Sequence, residues 1–167
     1  MNMKLEYSIY KSDLLGCIYV ISNGEAIVSV ELFEEDWQQL RQQYEMIKSN
    51  SPLLENAVQQ LDEYFHGKRK AFHLPLKWKG TEFQEQVWQA LCEIPYGTMV
   101  SYSDIAEKIG RPKAVRAVGQ ANRANELAIF VPCHRVVGKN GSLTGYAGNR
   151  TNVKERLLQL ERRYRTI

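Results

Sequence analysis

The hydrophobic pattern changes period at Gly80, and this change limits the possible folds more than any other feature of the 167-residue chain. Before Gly80 the pattern is mostly two-residue alternation broken by tight turns. Leu5, Tyr7 and Ile9 alternate with polar residues, a turn follows through Gly16, and Ile18 and Val20 resume the alternation. Asn23-Gly24 is a hairpin signal, and Val28, Val30 and Leu32 continue beyond it. Trp37, Leu40, Tyr44 and Ile47 recur at helical spacing, and Asn50-Ser51-Pro52 ends that run. A second helical stripe holds Leu54, Ala57, Val58, Leu61 and Phe65, with Gly67 placed to cap it. Phe72, Leu74, Leu76 and Trp78 alternate, which predicts a strand over 72–78.

After Gly80 helices dominate. Thr81 with Gln84 makes a capping box ahead of Phe83, Val87, Ala90 and Leu91, and Pro95-Tyr96-Gly97 ends the helix. Ser101 with Asp104 opens another helix carrying Ile105, Ala106 and Ile109. Beyond Gly110, Pro112 sits where a first helical turn accepts it, starting a helix through Ala114, Val115, Ala117, Val118 and Ala121. Two short helices joined by Gly110-Arg111-Pro112 outline a helix-turn-helix. Leu127, Ile129 and Val131 then predict a short strand that delivers Pro132-Cys133-His134-Arg135 to its end. A glycine-containing loop over 138–149 leads to a last helix that begins near Thr151 and buries Val153, Leu157 and Leu160. Two domains are expected, 1–79 and 80–167.

Charge divides at the same boundary. The overall net charge is +3, from −2 over residues 1–79 and +5 over 80–167. Lys108, Arg111, Lys113, Arg116, Arg123, Arg135 and Lys139 face only Glu126 within 108–139. Such a basic face favours a polyanion through phosphate contacts and counterion release, or is simply a solvated surface. The second helix of the pair sets Lys113, Arg116 and Arg123 among Ala114, Ala117, Gly119 and Ala121. Small side chains let a helix backbone approach a surface closely, while arginines meet phosphates or enter a base stack. No apolar run reaches the roughly 20 residues that span a bilayer, so a cytoplasmic protein is expected.

The three cysteines cannot all pair, and none lies in a CxxC spacing, which argues against a disulfide framework or a structural zinc. Cys17 and Cys92 read as small core residues. Cys133 differs, because it follows Pro132 and precedes His134 and Arg135. Neighbouring cations and a nearby base favour the thiolate, which is the nucleophilic form.

Val131-Pro132-Cys133-His134-Arg135-Val136-Val137 resembles the active-site motif of the O6-alkylguanine-DNA alkyltransferases, also called methylated-DNA–protein-cysteine methyltransferases. Tyr96-Gly97, Ser101-Tyr102, Arg116-Ala117-Val118-Gly119, Ala121-Asn122 and Asn125 resemble that family's DNA-binding segment in order and spacing. Gly141, Leu143, Gly145-Tyr146, Gly148, Lys154, Leu157-Leu158 and Glu161 resemble its substrate loop and last helix. The resemblance covers about residues 72–167. The first 71 residues match the family's variable N-terminal domain only in length and element order.

The resemblance implies an α+β protein: a small α/β domain with a ribonuclease H-like motif, then a mostly helical domain of winged-helix type. It implies repair by direct reversal. Cys133 would accept the alkyl group from O6 of a flipped-out guanine, with O4-alkylthymine a further expected substrate. His134 would act as base, Glu161 would orient it, Tyr102 would supply a proton at the guanine ring, and Asn125 would tie the active-site loop to the helix-turn-helix. Arg116 would fill the vacated stack, with Lys113, Ala117, Gly119, Ala121, Arg123 and Arg135 also at the DNA. Val136, Tyr146, Ala147 and Lys154 would line the substrate pocket. The expected partner is double-stranded DNA, bound by a monomer through the minor groove without sequence preference. Neither cofactor nor metal is expected, and nothing in the chain is placed to regenerate the cysteine.

Three positions depart from the family pattern. Glu126 stands where proline is usual, Asn149 follows Gly148 where a second glycine is common, and 146–154 is one residue longer. The first sets an acidic group near a DNA-facing loop, the other two alter the loop over the alkyl group, and the transfer chemistry is untouched. Three alternative readings are a non-catalytic sensor of alkylated DNA, a sequence-specific helix-turn-helix regulator, and a cysteine hydrolase. Cys133 opposes the first, the second needs sequence specificity and usually a dimer, and the third needs turnover on an ester.

Overall fold

A computed structural model describes residues 4–138 and 150–166. The chain divides into two compact units, Met1–Trp78 and Lys79–Ile167. No helix among the described residues is long and apolar enough to cross a membrane.

The first unit is built on a four-stranded sheet in the order β3-β2-β1-β4. β1 (Lys4–Ser12), β2 (Gly16–Ser22) and β3 (Ile27–Glu31) run antiparallel, with Tyr10 opposite Ile18 and Tyr7 opposite Ile21. β2 holds Ile18, Tyr19, Val20 and Ile21, all buried, as a central strand covered on both faces must. On one face Tyr19 stacks on Trp37 of α1 (Glu34–Gln43), with ring centroids 4.3 Å apart, and Leu5 and Ile21 join the cluster. On the other, α2 (Pro52–Phe65) packs on β1 and β2, and its Asp62 accepts a 3.1 Å hydrogen bond from the Tyr10 hydroxyl. Asn23 closes the β2–β3 turn by accepting from the backbone of Glu25 and Ala26. Gly67 has φ +75° after α2, and the Gly67 and Lys68 N–H groups cap the carbonyls of Tyr64 and Glu63.

Two expectations fail in this unit. The first helix stops at Gln43, and Glu45–Lys48 forms β4, parallel to β1, so Ile47 is a half-exposed strand residue. Residues 72–78 form no strand. Only Leu76 bridges to Ile27, and Pro75, which has no N–H to give, offers just its carbonyl to Ile27.

In the second unit α3 (Glu82–Cys92) opens with the expected Thr81–Gln84 capping box and buries Val87, Trp88, Ala90 and Leu91. The Trp88 indole N–H donates 2.8 Å to the Ala121 carbonyl, which ties α3 to α5. β5 (Val100–Ser101) leads into α4 (Tyr102–Lys108), where Ser101 and Asp104 form the second capping box. Gly110, at φ +78°, ends α4. α5 (Val115–Arg123) starts three residues later than expected, so Pro112 belongs to the connecting turn and not to the first helical turn.

The expected strand over 127–131 is a tight turn instead. Val131 N–H donates 2.8 Å to the Leu127 carbonyl, and Ile129 is held at φ +75°. A β-branched residue in that region costs about 1–3 kcal/mol and persists where its surroundings fix it. Here the side chain is buried. The chain then forms a short 3-10 helix, Cys133–Arg135, followed by β6 (Val136–Val137). β6 runs parallel to β5, with Val100 opposite Val136 and Ser101 opposite Val137. α6 (Arg150–Tyr164) packs against the 3-10 helix. Its buried stripe is Lys154, Leu157, Leu158 and Glu161, one step round from the expected Val153, Leu157 and Leu160.

Candidate active site and nucleic-acid interface

The β5–β6 pairing sets the start of α4 beside the 3-10 helix, so Tyr102 and Cys133 reach one region from 31 residues apart in the chain. Cys133 is buried. Its N–H donates 2.8 Å to the Val131 carbonyl, and its own carbonyl accepts from Val136 N–H and, at 3.4 Å, from the buried Asn122 amide of α5. Asn125 binds the same turn twice, accepting from Leu127 N–H (2.9 Å) and donating to the Val131 carbonyl (3.0 Å). The side chains of α5 and its exit thus fix the backbone on which the cysteine sits.

His134 and Glu161 are fully buried and meet through Nε2 and Oε2 at 2.6 Å. The other ring nitrogen, Nδ1, is buried and has no hydrogen-bond partner among the described residues. Glu161 also accepts from Arg135 at both oxygens, Nε to Oε1 at 2.8 Å and Nη2 to Oε2 at 3.0 Å, and from Gly97 N–H at 3.2 Å. Burial alone would push this carboxyl up. The hydrogen bonds and charges of His134 and Arg135 outweigh that and hold it well below the usual carboxylate range. Burial pushes the His134 imidazole down, helped by the charges of Arg135 and Lys154 and opposed by Glu161. A neutral imidazole beside an ionised carboxylate is a base with its orienting partner already in place.

Lys154 is fully buried, with Nζ 3.5 Å from the Tyr102 hydroxyl and 5.6 Å from its ring centre. Burial pushes its ammonium down to about 8, and the neighbouring Cys133 opposes the shift. Gly119 of α5 lies against Tyr102, where a Cβ would come within 3.9 Å of the ring. Val136 is buried next to the site. Tyr146 and Ala147, also expected at the pocket, lie outside the described residues, as do Lys139 and Asn149.

On the outer side, Lys113, Arg116, Ala117 and Arg123 are exposed along α5 and its approach. Two further cations of the basic segment, both exposed, have partners nearby: Lys108 reaches Glu93 at 3.7 Å, and Arg111 lies over the Phe83 ring at 5.7 Å. Two predicted DNA contacts need correction. Arg135 is buried, bonded to Glu161 and, through Nη1 at 2.7 Å, to the Ile94 carbonyl, so its fork is not offered to a phosphate. Ala121 is buried on the inner face of α5. Cys92, expected in the core, is exposed.

Sequence reasoning missed the backbone partners of this cluster, because the Ile94 carbonyl and Gly97 N–H leave no side-chain signature. Asn122 entered the sequence reading only through the resemblance, although its structural role could have been found: a polar residue on the buried stripe of a helix needs a partner.

A helix-turn-helix with a cationic outer face, its inner face fastened to a buried cysteine–histidine–glutamate group, defines a DNA-binding protein built around a nucleophile. The chain belongs to the 6-O-methylguanine DNA methyltransferase family: the family's DNA binding domain matches residues 82–163, and its ribonuclease-like domain matches residues 5–78. It is 53% identical over 149 residues to the constitutive methylated-DNA–protein-cysteine methyltransferase of Bacillus subtilis, covering 89% of this chain and 90% of that one. The Mycobacterium leprae protein of the same name is 43% identical over 148 residues, 89% of this chain and 87% of its own. Among solved structures, the O6-methylguanine methyltransferase of Mycobacterium tuberculosis superposes with a TM-score of 0.87 at 39% identity, covering 96% of this chain and 94% of that one. The M. tuberculosis OGT in complex with DNA superposes at 0.82 and 37% identity, again covering 96% and 94%.

Proposed function

We propose that this protein repairs alkylated DNA by direct reversal, and that residues 80–167 carry both the DNA contact and the transfer. The single observation that carries the reading is the cluster at the 3-10 helix, where the buried Cys133 immediately precedes His134 and His134 is bonded to Glu161. The thiol proton passes to Nδ1 of His134, the ring nitrogen turned away from Glu161. The thiolate attacks the alkyl carbon on O6 of guanine, forming an S–C bond as the C–O6 bond breaks. Tyr102 gives its hydroxyl proton to the departing guanine. The product is a thioether on Cys133, and each molecule acts once.

An O6-alkyl group is sheltered inside a stacked duplex, so the nucleotide has to rotate out. Arg116, exposed on α5, fills the gap on this reading, and the small exposed Ala117 suits a narrow groove. Lys113 and Arg123 supply sequence-independent phosphate contacts. The protein works as a monomer in the cytoplasm on this reading.

The test compares two substrates. Cys133→Ala abolishes transfer from duplex O6-methylguanine while DNA binding persists. Arg116→Ala slows transfer from the duplex at least tenfold and leaves reaction with free O6-benzylguanine within a factor of two. Equal losses on both substrates would contradict the stacking role, and transfer by Cys133→Ala would contradict the acceptor.

A further inference from the structure

Arg135 was expected at the DNA, yet it lies inside the second unit with each of its three side-chain nitrogens hydrogen-bonded. Nε and Nη2 grip the two oxygens of Glu161, Nη1 holds the Ile94 carbonyl, and the Tyr96 ring lies 5.7 Å from its guanidinium carbon. A bidentate fork on a fully buried carboxylate is more than packing requires. Its consequence lies in the proton inventory of Glu161.

Glu161 bonds to Arg135 at both oxygens, to the Gly97 N–H at Oε1, and to Nε2 of His134 at Oε2. An arginine and a backbone N–H can only donate. A proton on the carboxyl therefore has one productive place among these contacts, the 2.6 Å line between Oε2 and Nε2. That line holds a single proton, which belongs either to the carboxyl or to the imidazole. A guanidinium fixed on both oxygens favours the ionised carboxylate.

We propose that Arg135 is a positioning residue for the transfer reaction: by holding both oxygens of Glu161 it keeps the shared proton on Nε2 of His134, leaving Nδ1 with the lone pair that receives the Cys133 proton. The inference rests on the reading of His134 as base. Among the described residues, the other titratable groups that act on this cluster are Lys154 on α6, Cys92 at the end of α3 and Tyr96 beyond it, with Tyr164 acting on Tyr96 and Cys133 next to His134 in the chain. The charges of Lys154 and Arg135 both disfavour a doubly protonated imidazole. Arg135 alone also touches the carboxylate, so it acts on the tautomer as well as on the charge.

The experiment is nitrogen NMR on full-length protein labelled with 15N-histidine. His66→Gln and His73→Gln variants, both changed in the first unit, assign the His134 signals. At pH 7 the wild-type spectrum shows a neutral His134 with its proton on Nε2. In Arg135→Met the acid titration of His134, and the acid limb of the single-turnover transfer rate with it, move up by about one pH unit, a tenfold loss of neutral base at pH below the midpoint. Arg135→Lys, which keeps the charge and loses the fork, lies between. A proton on Nδ1, or a doubly protonated ring at pH 7 in the wild type, would overturn the inference even if Arg135→Met fails to fold. So would a folded Arg135→Met with an unchanged midpoint and a rate lowered equally at every pH. These signals do not depend on transfer: the described tautomer in a protein that takes no methyl group supports the role of Arg135 and overturns the transfer reading instead.

Discussion

The two units stabilise themselves in opposite ways. In the first, the buried side chains are apolar apart from Ser12, Ser22, Ser29 and Gln60, and its ionised groups stay at the edges. Its Tyr–carboxylate pairs, Tyr19 with Glu34 and Tyr10 with Asp62, leave the charge toward water. In the second, four ionisable side chains, His134, Arg135, Lys154 and Glu161, are buried within two segments of the chain. Taking charges out of water is costly, and well-packed apolar residues of similar volume often match or exceed a buried ion pair in stability. Charge sequestered in the second unit alone therefore points to chemistry, whereas the first unit is built for stability.

The sharpest way to break this contrast is to remove one member of the charged cluster. Arg135→Met strips Glu161 of two donors and leaves a buried carboxylate half compensated, so the second unit should lose about 3–5 kcal/mol. Denaturant unfolding followed by exchange protection in α6 measures this, and a loss under 1 kcal/mol would mean the fork is idle. An apolar change in the first unit is next in size. Leu61→Ala on α2 removes a fully buried side chain and should cost about 2–4 kcal/mol, with transfer on duplex DNA unchanged at a temperature where the variant is folded.

The smallest effect is a graded one with pH. His134 titrates below its usual range in the folded protein, so the unfolded chain takes up its proton first as pH drops through about 6.5, and stability falls with it. The depressed Glu161 contributes stability that is complete above about pH 4.3 and is lost as pH falls toward its folded value. Between pH 7 and pH 5, protection in α6 should decline while that in β2 stays level. An equal decline in both units would erase the contrast.

Features set by neighbours in the chain were legible in the sequence. Thr81 with Gln84 and Ser101 with Asp104 form their capping boxes, and the apolar run of β2 lies where alternation and turns put it. Features set by tertiary partners were not. The helical spacing through Ile47 yields to β4, because parallel pairing with β1 outweighs a weak helical end. The alternation of 127–131 mimics a strand, whereas Asn125 folds that stretch into a turn and holds Ile129 at positive φ. Arg135 reads as a surface cation by residue type, and only the fold supplies the buried acceptors that draw it inside. The stripe on α6 was displaced for the same reason, since two of its four members, Lys154 and Glu161, are residues that a hydrophobic pattern skips. The motif located the chemistry, while the partners that tune it emerged only from the fold.

The central claim is that Cys133 accepts one alkyl group and keeps it. Intact mass after incubation with excess duplex DNA carrying O6-methylguanine, followed by peptide mapping, tests it most directly. The account predicts the mass of a single methyl group on every protein molecule, located on the peptide that contains Cys133 and not increasing with time. Tight binding to the lesion with no change in mass, or methyl on another residue, would contradict it.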